Sequence, residues 1–157
     1  MGGAPAPGNG KAEVGAPYLD FTAPKLEGGS LRLSSLVGRH VVLIQFWGIR
    51  CAPCLAEFGF LANLQNRYGK EGLQVLGVNT DGVDATRLSE AMAARQLSAP
   101  YPMLLDSDFS IAKRYTPWLI PVSVLISRSG LVEAIHTGYR PELDSVIEAE
   151  VVRLLGR

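Results

Sequence analysis

Cysteine and histidine are scarce in this sequence, with two of each in 157 residues. So few cysteines exclude a disulfide-stapled scaffold. A structural zinc site wants four ligands, and here it would have to recruit His40 and His136 from positions far apart in the chain. An excess of one charge is missing too. Fifteen basic and fifteen acidic side chains cancel to a formal net charge of zero, so nothing electrostatic draws the protein to nucleic acid or to an anionic membrane. No apolar run approaches the ~18–20 residues a membrane helix needs, and no charged-then-apolar signal peptide opens the chain. A soluble protein is expected. Apolar side chains make up 47% of the sequence, enough at this length for one domain around a single core.

The two cysteines stand together in Cys51-Ala52-Pro53-Cys54. An apolar run, Val41 to Trp47, precedes them, and residues at helical spacing follow: Cys54, Phe58, Leu61, Leu64 and Tyr68. A strand thus delivers both cysteines to a helix start, where unpaired N–H groups and the positive end of the helix dipole favour a thiolate. Pro53 suits that place, because its φ is already set and the N–H it lacks would have been unpaired. A static disulfide or a pair of buried apolar residues is the plainer alternative. Closing so short a loop removes little unfolded-state entropy, so redox chemistry is the better reason for the spacing.

Residues 1–16 are rich in Gly, Ala and Pro and read as a flexible tail, either a natural end or what remains when an export signal or anchor is removed. A single domain is expected over 17–157. Lys25-Leu26 and Leu31-Arg32-Leu33 flank Glu27-Gly28-Gly29-Ser30 as a β-hairpin. The strand Val41–Trp47 is apolar on both faces, as in a buried parallel sheet. The helix after the cysteines contains Gly59, and a second buried strand covers Leu73–Val78. Asp84 caps a helix running to about Gln96, with Leu88, Ala91 and Met92 inward. A short strand at Met103–Leu105 leads to a helix capped by Ser107 or Asp108 and ending near Tyr115. A loop through Pro117 and Pro121 enters the strand Val122–Ser127, a hairpin at Gly130 returns as Leu131–Thr137, and Pro141 opens a last helix bearing Leu143, Ile147, Val151 and Leu154. The order describes an α/β fold with a central mixed sheet between helices.

Phe46-Trp47-Gly48-Ile49-Arg50-Cys51-Ala52-Pro53-Cys54, with Ile120-Pro121-Val122 about seventy residues later and a hairpin at Gly130, resembles the thioredoxin-like fold. The similarity is to its TlpA-like and ResA-like branch, related to the AhpC/TSA peroxiredoxins, and runs from about Tyr18 to the end. It implies an N-terminal hairpin and a helix-strand insertion near 84–106 between the βαβ and ββα halves. It also implies that Cys51 is the attacking thiolate, that Cys54 resolves the mixed disulfide, and that Pro121 is a cis-proline beside them. The activity implied is thiol-disulfide exchange with protein thiols or disulfides, fed by an upstream redox partner. No cofactor or metal is expected beyond the redox-active disulfide itself. A monomer is expected, placed outside a bacterial cytoplasm if an export signal has been removed and inside it otherwise.

Several positions depart from that pattern. Arg50 stands where the family usually has Trp; it either favours the neighbouring thiolate or is simply solvated. Gln45 replaces a buried strand acid, and Gly59 replaces a helix-kinking proline. Asp81 is the nearest acid after the second strand, with Gly82 at the offset where a glutamate is usual. Asp81 and Glu57 are the candidate proton relays, although an ordinary turn aspartate and a helix-dipole partner are the plainer readings of the two. Trp47, Arg50, Pro53, Trp118, Ile120 and Pro121 are the candidate substrate-binding residues, Trp47 doubling as core filler and Ile120 offering its backbone to an extended peptide. A thiol peroxidase would carry Thr or Ser where Gly48 is. A Cu(I)-binding module would suit two thiolates, but no Met or His stands close by in the sequence.

Overall fold

The computed structural model describes residues 3–115 and 119–156. Its centre is a five-stranded sheet in the order β5-β4-β3-β6-β7, formed by β3 (Val41–Trp47), β4 (Leu73–Asn79), β5 (Met103–Leu105), β6 (Val122–Ile126) and β7 (Val132–Thr137). Strands β3, β4 and β5 run parallel, while β6 and β7 are antiparallel additions on the other side of β3. A separate hairpin, β1 (Thr22–Pro24) with β2 (Ser30–Arg32), reaches the β5 edge, where the Leu26 N–H donates to the Met103 carbonyl at 2.8 Å. The helices are α1 (Ala52–Tyr68), α2 (Ala85–Ala94), the short α3 (Ala112–Tyr115) and α4 (Leu143–Leu154).

Every residue of β3 is buried because the sheet is covered on both sides, and the period of two sends alternate residues into different cores. Val42, Ile44 and Phe46 join Tyr18, Phe21, Tyr115 and Val124 on one face. Val41, Leu43 and Trp47 meet Phe58 and Leu61 of α1, Leu88 and Met92 of α2, and Ile147 and Val151 of α4 on the other. Thus α1, α2 and α4 share one face. The opposite face is covered by α3, the hairpin region and the chain leading to it.

That leading chain differs from the expected loose tail. The Gly8 N–H donates to the Tyr18 carbonyl at 2.7 Å, the Gly15 N–H to the Val132 carbonyl at 2.7 Å, and the Ala12 N–H to the Arg114 carbonyl at 2.9 Å. The Tyr18 hydroxyl donates to the Pro5 carbonyl at 2.8 Å. A segment poor in large side chains can still be held if the body supplies partners for its backbone, which composition does not reveal. Three smaller differences have local causes. The hairpin strands begin earlier than expected, so the turn spans Lys25 to Gly29. Helix α2 stops at Ala94 because Gln96 takes a left-handed φ of 56° and the Leu97 N–H turns back to the Met92 carbonyl. The turn before α3 is held by Asp108, whose Oδ1 accepts from the Ser110 N–H at 3.1 Å, and also by buried Asp106, which was not expected and whose carboxylate accepts from the Ile111 and Ala112 N–H groups at 3.1 and 2.8 Å; the Ser107 hydroxyl donates instead to the Val83 carbonyl.

Candidate active site

Strand β3 ends in a tight turn, Gly48-Ile49-Arg50, closed by the Cys51 N–H donating to the Gly48 carbonyl at 3.1 Å. Cys51 is the N-cap of α1, and its sulfur accepts from the Cys54 N–H at 3.2 Å. Pro53 lies in the first turn and is exposed. The two cysteines form a disulfide across a Cα–Cα distance of 5.2 Å, with Cys51 half-buried and Cys54 without solvent exposure. The pair therefore sits at the positive end of a 17-residue helix, with only one residue of the two facing solvent.

Beneath the pair lies a buried polar group set. Glu57, one turn beyond Cys54, is fully buried rather than solvated at the helix start. Gln45 Nε2 donates to the Cys54 carbonyl at 3.1 Å and to Glu57 Oε1 at 2.9 Å, and the Ser123 hydroxyl donates to Glu57 Oε2 at 3.1 Å. Burial pushes the Glu57 carboxyl above its ordinary range, and the donors from Gln45 and Ser123 pull it part of the way back. Glutamine in the central strand thus does not leave this region without an acid. The carboxylate comes from the helix, and the strand supplies a donor to it.

Asp81 is placed differently. Its Oδ2 accepts from the Ile49 N–H at 2.9 Å and from Asn79 Nδ2 at 2.7 Å, while its own N–H donates to Asn79 Oδ1 at 3.0 Å. Asp81 is a brace for the turn in front of the cysteines. Gly48 sits inside that brace, where an added Cβ would stand 3.0 Å from both Asp81 Oδ1 and Ile120 Cδ1. The Ile120–Pro121 peptide is cis; Pro121 is buried and Ile120 is 39% exposed.

One of the candidate substrate-binding residues lies in the core. Trp47 is wholly buried: its Nε1 donates to Met103 Sδ at 2.9 Å, and its ring meets Phe58 edge-on at 4.9 Å. It belongs to the core, because the alternation of β3 aims it at α1 and away from the surface. Trp118 lies outside the described residues. Arg50 is exposed beside Cys51. Ser123 and Asn79 were not among the expected residues, although Ser123 is the lone polar residue of β6 and Asn79 is the polar end of the otherwise largely apolar β4. Among the described residues no group of three His, Cys, Asp or Glu side chains could hold a metal ion, and no helix is long and apolar enough to cross a membrane.

Residues 14–135, most of the chain, match the AhpC/TSA family. The chain belongs to the AhpC/TSA family. Within it, the chain is 33% identical over 125 residues to the thiol-disulfide oxidoreductase ResA of Geobacillus kaustophilus, covering 80% of this chain and 70% of that one. It is 28% identical over 128 residues to ResA of Bacillus subtilis, covering 82% and 69%. Among solved structures, a Chlorobium tepidum protein assigned as thiol:disulfide interchange protein DsbE superposes with a TM-score of 0.85 at 29% identity, covering 93% of this chain and all of that one, 100%. A Bacteroides thetaiotaomicron protein assigned as a protein disulfide isomerase reaches a TM-score of 0.83 at 22% identity over 97% and 96% of the two chains, a likeness of fold alone. This AhpC/TSA member therefore has the thioredoxin-like fold, with its disulfide at the end of the central strand.

Proposed function

We propose that the protein is a thiol-disulfide oxidoreductase in which Cys51 attacks and Cys54 resolves. The observation that carries this is the asymmetric disulfide at the start of α1, one cysteine at the surface and the other sealed beneath it. In the reducing direction the Cys51 thiolate attacks one sulfur of a substrate disulfide. The substrate S–S bond breaks, a Cys51–substrate disulfide forms, and the departing substrate sulfur takes a proton from solvent. Cys54 then attacks the Cys51 sulfur, the second substrate sulfur leaves as a thiol, and the Cys51–Cys54 disulfide remains. Two electrons pass from the dithiol to the substrate. The same steps in reverse oxidise a substrate dithiol.

Glu57 is suited to take the proton of Cys54, since it is the carboxylate one turn away in the same buried region. Asp81 holds the turn, and Ile120 presents its backbone beside the cis peptide to a substrate strand. Protein thiols or disulfides as substrates are supported by the names of the ResA relatives and of the interchange protein; a setting outside the cytoplasm and a second redox protein restoring the dithiol complete the reading. A peroxidase reading is not favoured: a hydroxyl-bearing side chain in place of Gly48 would press on Asp81 and Ile120. The copper(I) reading is not favoured either, since the ResA relatives and the interchange protein are named for thiol-disulfide chemistry.

The test is to trap the intermediate. Cys54→Ser should collect mixed disulfides with substrate proteins, seen as reducible adducts on a non-reducing gel, and Cys51→Ser should collect few. The reverse pattern would overturn the assignment of roles.

A further inference from the structure

Phe109 combines two features that folding alone disfavours. Its φ is 62°, a left-handed conformation that crowds any residue with a Cβ, and its side chain remains 48% exposed. A glycine or asparagine would relieve the first, and a polar side chain the second. The backbone around it is nevertheless firmly held. The Phe109 N–H donates to the Asp106 carbonyl at 3.1 Å, the Lys113 N–H donates to the Phe109 carbonyl at 3.0 Å, and the Asp106 carboxylate ties down Ile111 and Ala112. Residues kept in such conformations tend to lie at functional sites.

The position of the ring relates it to the redox turn. Its packed side rests on Gly82, where an added Cβ would come within 2.9 Å of Phe109 Cζ; Gly82 itself has a φ of 74°. Gly82 follows Asp81, which holds the Ile49 N–H, and Asp81 Oδ1 stands beside Gly48, whose other neighbour is Ile120 Cδ1. An unbroken set of contacts therefore joins Phe109, the Asp81–Gly82 turn, the turn leading into Cys51, and Ile120. Exposed apolar groups stand at both ends of it: Phe109 at one, and Ile120 with Leu119, 39% and 60% exposed, at the other. Exposed apolar groups on the elements that hold a reactive turn are the kind of surface another polypeptide covers.

We propose that Phe109 is a specificity-determining residue for the exchange reaction, its exposed ring packing on an apolar side chain of a substrate polypeptide whose disulfide is engaged at Cys51. The partner is a protein segment with apolar residues flanking its cysteine, in preference to one with polar flanks. This rests on the disulfide-exchange reading and extends it to the class of substrate.

Two synthetic disulfide-bonded peptides decide it, one with Leu and Phe flanking the cysteine and one with Ser and Gly at the same positions, each reduced by the dithiol form of the full chain. The wild type should show a higher kcat/KM for the apolar-flanked peptide. In Phe109→Gly, which removes the ring while relieving the backbone, that preference should fall about fivefold to tenfold, mainly through KM, on the scale of truncating an interface aromatic. Phe109→Leu should retain most of it. A preference that is unaltered in Phe109→Gly, or an equal loss on both peptides, would overturn the proposal. A wild type that reduces neither peptide but remains folded would sink the exchange reading itself, a result distinct from the other two.

Discussion

A carboxylic acid with no contact with water is reluctant to ionise, and Glu57 is such a group at the foot of the reactive pair. Burial is the largest cause of its raised pKa, the Asp144 charge adds to it, and the donors from Gln45 and Ser123 and the charge of His136 oppose it. The direction sets a stability prediction. Because the folded protein holds this proton more tightly than the unfolded chain, the folded state binds more protons between the ordinary value of 4.5 and the raised one, so stability is lost as pH climbs through that interval. Glu57→Gln abolishes the loss. Urea midpoints measured across pH should show the variant gaining on the wild type as pH rises above the ordinary carboxylate range; a constant gap would count against a raised pKa. The same variant should resolve mixed disulfides more slowly if Glu57 accepts the proton of Cys54. Sequence patterning held more of this than the expectation drew from it. Glu57 falls between Cys54 and Phe58 on the inward row of α1, so a buried acid was legible from spacing. Gln45 and Ser123 as its partners were not, because pairing across β3, β6 and α1 depends on a register that no single segment contains.

Among the elements, β3 has the bounds read from its sequence, since a run apolar on both faces has one place to go in a layered fold. The same two-sidedness makes Trp47 core filler, one of the two roles its sequence position allowed, and not a substrate contact. Alternation along the strand, and not proximity, decides which way it points. The start of α3 was legible only in part: Asp108, one of the two expected caps, accepts from the Ser110 N–H, whereas Asp106 joins it because its burial turns its carboxylate onto the Ile111 and Ala112 N–H groups, which sequence spacing does not reveal. Asp106→Ala leaves the Ile111 and Ala112 N–H groups without their acceptor, and the loss of such a cap costs about 1–2 kcal/mol. Chemical denaturation should show a lower midpoint with an unchanged slope, and Asp106→Asn, which keeps one acceptor oxygen, should lose less. If Asp106→Ala is as stable as the wild type, the cap does not hold this segment.

For the molecule as a whole, the expected mixed sheet with helices on either side is present, but the cover is uneven. Three helices lie on one face, and the other depends on α3 and on chain that composition marked as loose. Pro5 has a fitted seat in that cover. An added Cβ on Gly130 would stand 2.7 Å from Pro5 Cβ, and one on Gly38 would stand 3.2 Å from Pro5 Cδ. Gly130 also has a φ of 85°, so Gly130→Ala meets both a backbone penalty and a clash. Limited proteolysis should cleave ahead of Ala16 sooner in this variant than in the wild type, while the rate of disulfide exchange stays the same. An unchanged cleavage rate would mean that the segment is held by its hydrogen bonds without help from Pro5.

The seat of Pro5 has one more consequence, and it concerns orientation. Gly38 lies just before the start of β3, whereas the disulfide follows its end, about 20 Å away at the rise of an extended strand. A bead, a fluorescent label or a fusion partner joined ahead of Gly3 is thereby held near the end of the molecule remote from Cys51. Attachment at that terminus leaves the reactive sulfur facing the surrounding solution.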